Sequence, residues 1–361
     1  MNTYGPGPYS APSANFRYAP ILFAWGYNNN GQLGQNDRVN RSSPVQIGSD
    51  YWAEVSTGNF FSATIKADGT LWTWGQNDLG ELGLGDTVYR SSPVQVGALT
   101  TWTKVSAGSD YALAIRQNGT LWAWGNNQYG QLGQNNFGLT TEKLSPVQVG
   151  ALTTWAQVNA AGYSAFATKT DGTLWSWGYN SYGLLGQNDT VNRSSPVQVG
   201  ALTTWNGVLG GVFVVKTDGT LWALGGNNSN GILGLNDRIN RSSPVQVGAL
   251  TTWAEPNIQT NGTLWTWGSN AYGELGDGTT INRSSPVQVG TDTGWTHVGF
   301  GSVFSVGIRS GNIYSWGGNS NGKLGSNQVW TTMRSSPVQI GSGSNWNNLS
   351  CAPEWALATS N

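Results

Sequence analysis

The sequence predicts an all-β protein, a seven-bladed β-propeller, and three observations lead to this prediction. The hexapeptide Ser-Pro-Val-Gln-(Val/Ile)-Gly occurs seven times. A second marker, aromatic-x-(Trp/Leu)-Gly, and a third, Leu-Gly, also occur seven times each and always in the same order. Repeats of this size, each able to form one small sheet, are typical of propellers, in which sheets pack around a common axis.

The positions of the markers define the repeats. The prolines of the first marker are Pro44, Pro93, Pro146, Pro196, Pro244, Pro286 and Pro337. The second marker begins at Phe23, Trp72, Trp122, Trp175, Trp222, Trp265 and Tyr314. The leucines of the third are Leu33, Leu82, Leu132, Leu185, Leu233, Leu275 and Leu324.

One repeat, residues 92–133, is interpreted as four short strands. The predicted strands are residues 93–96, 102–107, 112–116 and 120–124. The turn before the last strand carries Asn118-Gly119, a pair that supplies the positive backbone angles of tight hairpins. Since side chains alternate along a strand, Trp122 and Trp124 share one face, where we expect them to wedge against a neighbouring blade.

The two ends of the chain are predicted to complete one blade together. Residues 346–359 match the second and third strands of a repeat, whereas residues 21–25 match the fourth strand alone. A seam between the first and last strands leaves no open sheet edge. Residues 20–361 are therefore assigned to the propeller, and residues 1–19 to an N-terminal arm.

The sixth repeat is shorter than the others. Trp253 and Trp267 are 14 positions apart, whereas the equivalent tryptophans Trp102 and Trp124 are 22 apart. The missing residues correspond to the Ala-x-Ala strand. We therefore expect a truncated blade with three strands at this position.

Composition and charge narrow the classes of partner. Charged residues make up 10% of the chain, the formal net charge is −1, and no run of Lys or Arg occurs, which argues against nucleic-acid binding. No apolar stretch reaches the length of a membrane helix. The N-terminus lacks the features of a conventional signal peptide, and the single cysteine, Cys351, cannot form an intramolecular disulfide. We expect a soluble product.

The markers resemble the regulator of chromosome condensation repeat family, and the likeness extends over residues 20–361. That family combines Gly-x-x-x-x-x-Leu-Gly, Gly-x-x-His-(Ser/Thr)-x-Ala and Gly-x-(Leu/Val)-(Tyr/Trp)-x-Trp-Gly, and the resemblance implies a seven-bladed propeller. This sequence departs from the family at the histidine, whose matching positions are Phe61, Tyr111, Ala165, Phe304 and Trp355. No exchange-factor site of the family can therefore be transferred to it.

Catalytic and metal chemistry find little support in the sequence. His297 is the only histidine, and no nucleophile motif lies near it. We therefore predict that His297 is a surface residue of a strand and that the protein is not an enzyme. Zinc sites need Cys and His clusters that the sequence lacks, and no cofactor is expected. Asn-Asp pairs such as Asn36-Asp37 could offer oxygens to calcium, but turn formation explains them better.

Positions that are constant among the repeats are expected to be structural, whereas variable loops are expected to bind a partner. A recurrent arginine before the Ser-Pro marker, such as Arg41, is interpreted as a donor to loop carbonyls or a nearby Asp. Aromatic residues in variable loops are typical of protein interfaces, although they could instead fill the narrow end of the central channel. The predicted partner-binding residues are Phe60, Phe61, Tyr111, Tyr163, Phe304, Trp355, Phe137 and Trp330. The predicted docking residues of the arm are Tyr4, Tyr9, Phe16 and Tyr18.

The leading interpretation is a non-enzymatic structural or protein-interaction propeller. The polar, Asn-rich repeats and the arm favour a virion component, such as a bacteriophage capsid decoration or tail protein, with capsid or tail subunits as partners. An alternative is a secreted or surface binding module, either lectin-like, with carbohydrate as ligand, or a protein inhibitor. Nucleotide exchange on a small GTPase is suggested only by the family resemblance.

Overall fold

The structure, a computed structural model, describes residues 20–208, 212–328 and 332–361, and their regular structure is almost entirely β-strand. The described part contains 28 strands and one short 3-10 helix, Ser320–Gly322. The all-β prediction is therefore confirmed. The arm residues Tyr4, Tyr9, Phe16 and Tyr18, and also Trp330, lie outside the described residues.

Six four-stranded antiparallel sheets form six complete propeller blades, numbered here by the repeat whose second marker they contain. Blade 1 contains β27 (Trp346–Cys351), β28 (Trp355–Ser360), β1 (Ile21–Gly26) and β2 (Arg41–Ile47). Blade 2 contains β3 (Trp52–Thr57), β4 (Phe61–Lys66), β5 (Leu71–Gly75) and β6 (Arg90–Gln95). Blade 3 contains β7 (Trp102–Ala107), β8 (Tyr111–Arg116), β9 (Leu121–Gly125) and β10 (Lys143–Gln148).

The remaining complete blades have the same strand order. Blade 4 contains β11 (Trp155–Ala161), β12 (Ser164–Lys169), β13 (Leu174–Gly178) and β14 (Arg193–Gln198). Blade 5 contains the shorter strands β15 (Trp205–Val208), β16 (Phe213–Lys216), β17 (Leu221–Ala223) and β18 (Val245–Gln246). Blade 7 contains β23 (Trp295–Phe300), β24 (Phe304–Arg309), β25 (Asn312–Gly317) and β26 (Arg334–Gln339).

The prediction of seven blades is wrong as stated, because repeat 6 does not form a complete sheet. It forms two two-stranded sheets, β19 (Trp253–Glu255) with β20 (Ile258–Gln259) and β21 (Trp265–Gly268) with β22 (Arg283–Gln288). A single bridge between Ile258 and Leu264 links them. The prediction of three strands is also wrong, since the missing residues shorten the second strand to two residues rather than removing it.

The Ser-Pro-Val-Gln strand belongs to a different blade from the one predicted. In repeat 3, residues 93–96 were expected to begin the blade that continues with Trp102. Instead β6 pairs with β5, with Val94 opposite Thr73, and so forms the last strand of the preceding blade. The long loop between Gly75 and Arg90 turns back along the same sheet, an antiparallel pairing that marker order alone does not specify.

The predicted pairing of the two ends of the chain is present in blade 1. Strand β1 lies antiparallel to β28, with Leu22 opposite Thr359 and Ala24 opposite Leu357. On its other side β1 pairs with β2. The blade thus combines two strands from each end of the described chain.

The first strands of the blades surround the axis of the ring. Each begins at a buried tryptophan and lies at the sheet edge opposite the Ser-Pro-Val-Gln strand. Neighbouring first strands are joined by hydrogen bonds from backbone amides to serine hydroxyls. The amides of Thr57, Ala107 and Ala160 donate to Oγ of Ser350, Ser56 and Ser106 at 3.1, 2.9 and 2.9 Å.

The third strands join neighbouring blades through buried indoles. The Nε1 of Trp124, which is fully buried, donates to the carbonyl of Glu81 in the preceding blade at 2.9 Å. A Cβ on Gly83 would lie 3.0 Å from this indole, so the glycine of the Leu-Gly marker permits the close approach. The same bond joins Trp25 to Lys323, Trp74 to Gln32, Trp177 to Gln131, Trp267 to Ile232 and Trp316 to Glu274.

Five of the six recurrent arginines hold the outer loops, as predicted, whereas Nη1 of the sixth, Arg334, has no hydrogen-bond partner among the described residues. Arg90 donates to Asp86 Oδ2 at 2.7 Å and to the carbonyl of Val88. Equivalent ion pairs link Arg41 to Asp37, Arg193 to Asp189, Arg241 to Asp237 and Arg283 to Asp277. The asparagines of the Asn-Asp pairs have positive φ, such as 59° at Asn36, which supports their interpretation as turn residues.

Replacing one indole tests the connection between blades. We expect Trp124→Phe to lower the free energy of unfolding by about 2–4 kcal/mol, because the Glu81 carbonyl loses its buried donor and the core loses volume. Trp122→Phe is the control, since the half-buried Trp122 donates only to Thr120 within its own strand. Equal losses for the two variants in urea unfolding would contradict the structural role of the interblade bond.

Candidate protein-interaction face

Two sets of loops come together on one face of the ring, called here the turn face. The first set joins the first and second strands of each blade, and the second set contains the Gly-x-Leu-Gly turns. Backbone hydrogen bonds hold the sets together, for example from Asn126 to Asp110 and from Gln76 to Phe60, both at 2.9 Å. The Asp-Gly hairpins lie at the other end of the strands, where Trp102 donates to the Gly69 carbonyl.

Four of the predicted partner-binding aromatics are buried, so the prediction is corrected for them. Phe61, Tyr111, Phe304 and Trp355 are each at most 1% exposed. The Tyr111 hydroxyl donates to the carbonyl of Ser164 in the next blade at 2.6 Å, and Trp355 Nε1 donates to the carbonyl of Asn59. They begin the second strands and point between blades, which leaves them inaccessible to a partner.

In blades 1, 2, 3, 4 and 7, the residue just before the second strand is half-buried and lies on the turn face. We call these residues the lip positions; they are Phe60, Asp110, Tyr163, Val303 and Glu354. Phe60 and Tyr163 were predicted to bind a partner, and both remain accessible. Phe137 is 64% exposed in the loop before β10, and so it also remains accessible.

The strand register changes which residue of blade 4 corresponds to the histidine of the family pattern. Ser164 pairs with Gly178 as Tyr111 pairs with Gly125 and Phe61 with Gly75. Ser164, rather than Ala165, therefore occupies the position of the family histidine in blade 4. Tyr163 consequently becomes a lip residue.

A buried carboxyl group lies beside the lip of blade 3. Glu81, in the Gly-x-Leu-Gly turn of repeat 2, is 1% exposed, and its Oε2 accepts a hydrogen bond from the Leu79 amide at 2.7 Å. Its Oε1 has no hydrogen-bond partner among the described residues. The pKa of Glu81 is raised to about 7, chiefly by burial and to a smaller extent by the nearby carboxylates of Asp110 and Asp78, while backbone amide bonds lower it.

Two further carboxylates complete what we call the acidic patch, formed by Asp78, Glu81 and Asp110. Asp110 Oδ2 accepts a hydrogen bond from the Tyr163 hydroxyl at 2.9 Å, and Asp78 accepts one from the Tyr89 hydroxyl. Burial, and secondarily the charge of Asp78, raises the pKa of Asp110. Among the described residues, no Lys or Arg forms an ion pair with these three carboxylates.

Aromatic rings continue the surface next to the acidic patch. Tyr129 lies 5.3 Å from Tyr163 and 4.9 Å from Tyr179, measured between ring centres. Tyr182, which is exposed, adjoins Tyr179. The guanidinium of Arg38 lies 5.7 Å from the ring centre of Tyr89. Half-buried tyrosines beside uncompensated acids form a surface suited to a basic partner.

Glu81 is the second residue of the Gly-x-Leu-Gly turn. We call this place in each repeat the slot position. The buried residues at this position are Gln32, Glu81, Gln131, Glu274 and Lys323. Gln32 and Gln131 accept the same backbone N–H bond as Glu81, at 3.0 and 2.9 Å. The fold therefore accepts an amide or a carboxyl group here, and the residue at the slot is free to vary with function.

Sequence reasoning missed Asp78, Glu81 and Asp110. It selected aromatic residues of the variable loops. The available signal was the Gly-Glu-Leu-Gly turn, because repeats 1 and 3 carry Gln at the same place. Only the packing of neighbouring blades shows that the turn of repeat 2 adjoins the loop of blade 3.

The described residues outside the turn face form no further candidate site for catalysis or a metal ion. His297 lies on β23, an inner strand rather than an outer surface, and burial lowers its pKa. Within residues 20–208, 212–328 and 332–361, no cluster of three or more His, Cys, Asp or Glu side chains is suited to hold a metal ion. The same residues include no helix of the length and apolarity needed to span a bilayer.

Comparison with known proteins gives the class of this propeller. The model of the regulator of chromosome condensation (RCC1) repeat matches residues 21–65, 68–115, 118–168, 171–211 and 261–308, and a second model of that repeat matches 102–131. These segments cover more than half of the chain, which therefore belongs to the RCC1 repeat family. No curated protein matches the sequence significantly.

Solved structures show the same fold. Human WBSCR16 is 18% identical and has a TM-score of 0.80, with 94% of this chain and 100% of that chain covered. Yeast RCC1 (Prp20), solved bound to Kap60, is 16% identical with a TM-score of 0.83, covering 95% and 89%. Another structure of Prp20p from Saccharomyces cerevisiae is 17% identical with a TM-score of 0.81, covering 95% and 92%. These human and yeast proteins give no support to the virion assignment, and capsid or tail partners stay untested predictions.

The raised pKa of Glu81 predicts a dependence of stability on pH. The folded protein holds this proton more tightly than the unfolded chain, whose carboxyl titrates near 4.5, so stability falls as pH rises from about 4.5 to about 7. Glu81→Gln removes this loss, and we expect it to be more stable than the wild type by up to about 3 kcal/mol near pH 8, with no gain near pH 4.

The matched control for this prediction is Glu274→Gln. Glu274 accepts the equivalent amide bond, from Tyr272 at 2.7 Å, but its neighbours are Val303 and Ala271 where Glu81 has Asp110 and Asp78. Urea unfolding across this pH range provides the measurement. A gain in stability for Glu81→Gln that is the same at low and high pH would show that the raised pKa of Glu81 is not its cause.

Proposed function

We propose that the protein is a non-enzymatic interaction module that binds a basic protein partner through the turn face of blades 2 to 4. The acidic patch and the tyrosines beside it form the contact surface. The observation that carries this proposal is the group of three neighbouring carboxylates without an ion-pair partner among the described residues. A partner that supplies the cations would relieve their mutual repulsion.

The aromatic residues support contact with protein. Tyrosine supplies a large contact area with few rotatable bonds and a hydroxyl that can bond across an interface. Tyr129, Tyr163 and Tyr179 contact one another, so their rings are held in place before a partner arrives. A rigid surface loses little conformational entropy on binding.

Related structures support a protein partner in general terms. Yeast RCC1 (Prp20) was solved bound to Kap60, and the other Prp20p structure is described together with binding to Gsp1p and histones. All of these are proteins. Similarity of fold alone does not transfer any of these partners to this chain.

The arrangement of groups also favours a non-enzymatic role. Asp110 and Asp78 accept bonds from tyrosine hydroxyls, and burial raises the pKa of Tyr89 and of Tyr163 to about 12, so these phenols keep their protons. The histidine His297 lies on an inner strand rather than on a turn-face loop. Among the residues that the structure describes, no nucleophile with an adjacent base lies at the patch, which fits binding better than turnover.

Carbohydrate binding is a second candidate, favoured by grooves between blades. One groove of about 380 Å³ is lined by Leu152, Trp155, Trp175 and Pro196, and another of about 430 Å³ by the equivalent Leu202, Trp205, Trp222 and Pro244. The half-buried rings of Trp175 and Trp222 could stack on a sugar. On a glycan array, we expect any binding to be lost in Trp175→Ala combined with Trp222→Ala; no binding by the wild type removes this candidate.

Site-specific crosslinking tests the proposed face. A photoreactive amino acid placed at Phe60 should give adducts with proteins of a cell extract, and Asp110→Asn in the same chain should reduce their yield several-fold. The control position is Leu99, which is 42% exposed in the loop that packs beside the Asp-Gly hairpin of blade 2. Equal adducts from Leu99, or adducts from Phe60 that ignore Asp110→Asn, would contradict the proposed contact surface.

A further inference from the structure

The slot and lip positions of neighbouring repeats form pairs across each interface between blades. Slot and lip are connected through the third strand of the blade. The indole near the end of that strand donates to the slot carbonyl, and the amide just after the strand donates to the lip carbonyl. In blade 3, Trp124 donates to the Glu81 carbonyl, and the amide of Asn126 donates to the Asp110 carbonyl. In blade 1, Trp25 and Tyr27 make the same bonds to Lys323 and Glu354. The two interfaces can therefore be compared position by position.

At the interface of blades 7 and 1, this pair is a completed ion pair. Lys323 is fully buried, and its Nζ lies 2.9 Å from Glu354 Oε2. The ammonium also lies 5.6 Å from the centre of the Phe304 ring. The structure thus shows that a cation at the slot reaches a carboxylate at the lip, and that the fold accepts this charge pair.

At the interface of blades 2 and 3, both members of the pair are acids. Glu81 replaces the lysine, and Asp110 replaces the glutamate, so the cation of the other interface is missing from the chain itself. Asp78 adds a third carboxylate where the other repeats carry Asn29, Gln128, Ser181, Ser229, Ala271 or Ser320. The buried Glu81 Oε1 has no hydrogen-bond partner, as Nε2 of Gln32 and Gln131 has none at the equivalent slots, but only at Glu81 is the unpaired atom an acidic oxygen that a cation would satisfy.

We propose that one lysine or arginine side chain of the protein partner binds between Glu81 and Asp110 and supplies the cation that Lys323 supplies internally at blade 1. This inference rests on the proposed function and names the group of the partner that the acidic patch recognises. Asp110 is half-buried and reachable from the turn face, so it makes the direct contact. Glu81, deeper in the interface, adds charge from behind.

The neighbouring groups leave an acceptor for such a contact. Tyr163 donates to Oδ2 of Asp110 and leaves Oδ1 for a second donor. The Tyr129 and Tyr163 rings lie 5.3 Å apart beside Asp110, where an alkyl stem or a guanidinium can pack against them. Asp78 accepts the hydroxyl of Tyr89, and Arg38, over the Tyr89 ring, forms no ion pair with the three carboxylates among the described residues.

The test uses a fluorescent peptide of alternating glycine and lysine and the same peptide with acetylated lysines. Fluorescence anisotropy should show binding of the lysine peptide by the full chain and at least about tenfold weaker binding of the acetylated peptide, because charge-assisted bonds are lost. Asp110→Asn should weaken the lysine peptide by about tenfold or more. Glu81→Lys, which copies Lys323, should abolish binding and raise the melting temperature, since its ammonium pairs with Asp110.

Two further variants keep the test decisive. Glu81→Gln copies Gln32 and Gln131 and should weaken binding even if Glu81→Lys proves unstable, whereas Glu274→Gln should change nothing. Equal binding of the acetylated peptide, or binding that ignores both Asp110→Asn and Glu81→Gln, overturns the inference. If adducts still form from Phe60 under those conditions, the proposed face stands and only the lysine or arginine contact is wrong; if adducts form equally from Leu99, the proposed function fails as well.

Discussion

The hydrogen bond from a buried indole to a carbonyl of the preceding blade is the constraint on which the rest of the structure depends. It joins elements that are distant in the sequence, such as Trp124 and Glu81, 43 positions apart, and Trp25 and Lys323, 298 positions apart. It also fixes each Gly-x-Leu-Gly turn against the next blade and brings the side chain of that turn close to the loop of its neighbour. The slot and lip pairs are therefore a by-product of the bond that holds the ring together.

Departures from this arrangement are confined to one side of the ring. Leu224 takes the place of the indole in blade 5, and its strands are short. In repeat 6, the second strand is reduced to Ile258–Gln259. The acidic patch lies among blades 2 to 4, where every strand has at least five residues, so the candidate surface is built on a regular part of the propeller.

The sequence allowed the architecture to be predicted more fully than the site. Recurrence identifies repeats because each blade must satisfy the same packing, and the incomplete repeats at the two ends led directly to the pairing of β1 with β28. Strand assignment failed for the Ser-Pro-Val-Gln segment because an edge strand can join the sheet before or after it, and only hydrogen bonding decides. Phe60 and Phe61 show why the site was harder to predict: they are adjacent, but Phe60 lies half-buried in the loop on the turn face, whereas Phe61 begins β4 and is buried between blades.

The pairing of β1 with β28 has a consequence for the order of folding. Leu22 and Thr359 lie opposite each other although they are 337 positions apart in the sequence. Bringing such distant segments together costs more loop entropy than forming the hairpins within the other blades. Until this contact forms, β1 keeps an apolar, unpaired edge that invites association with other chains.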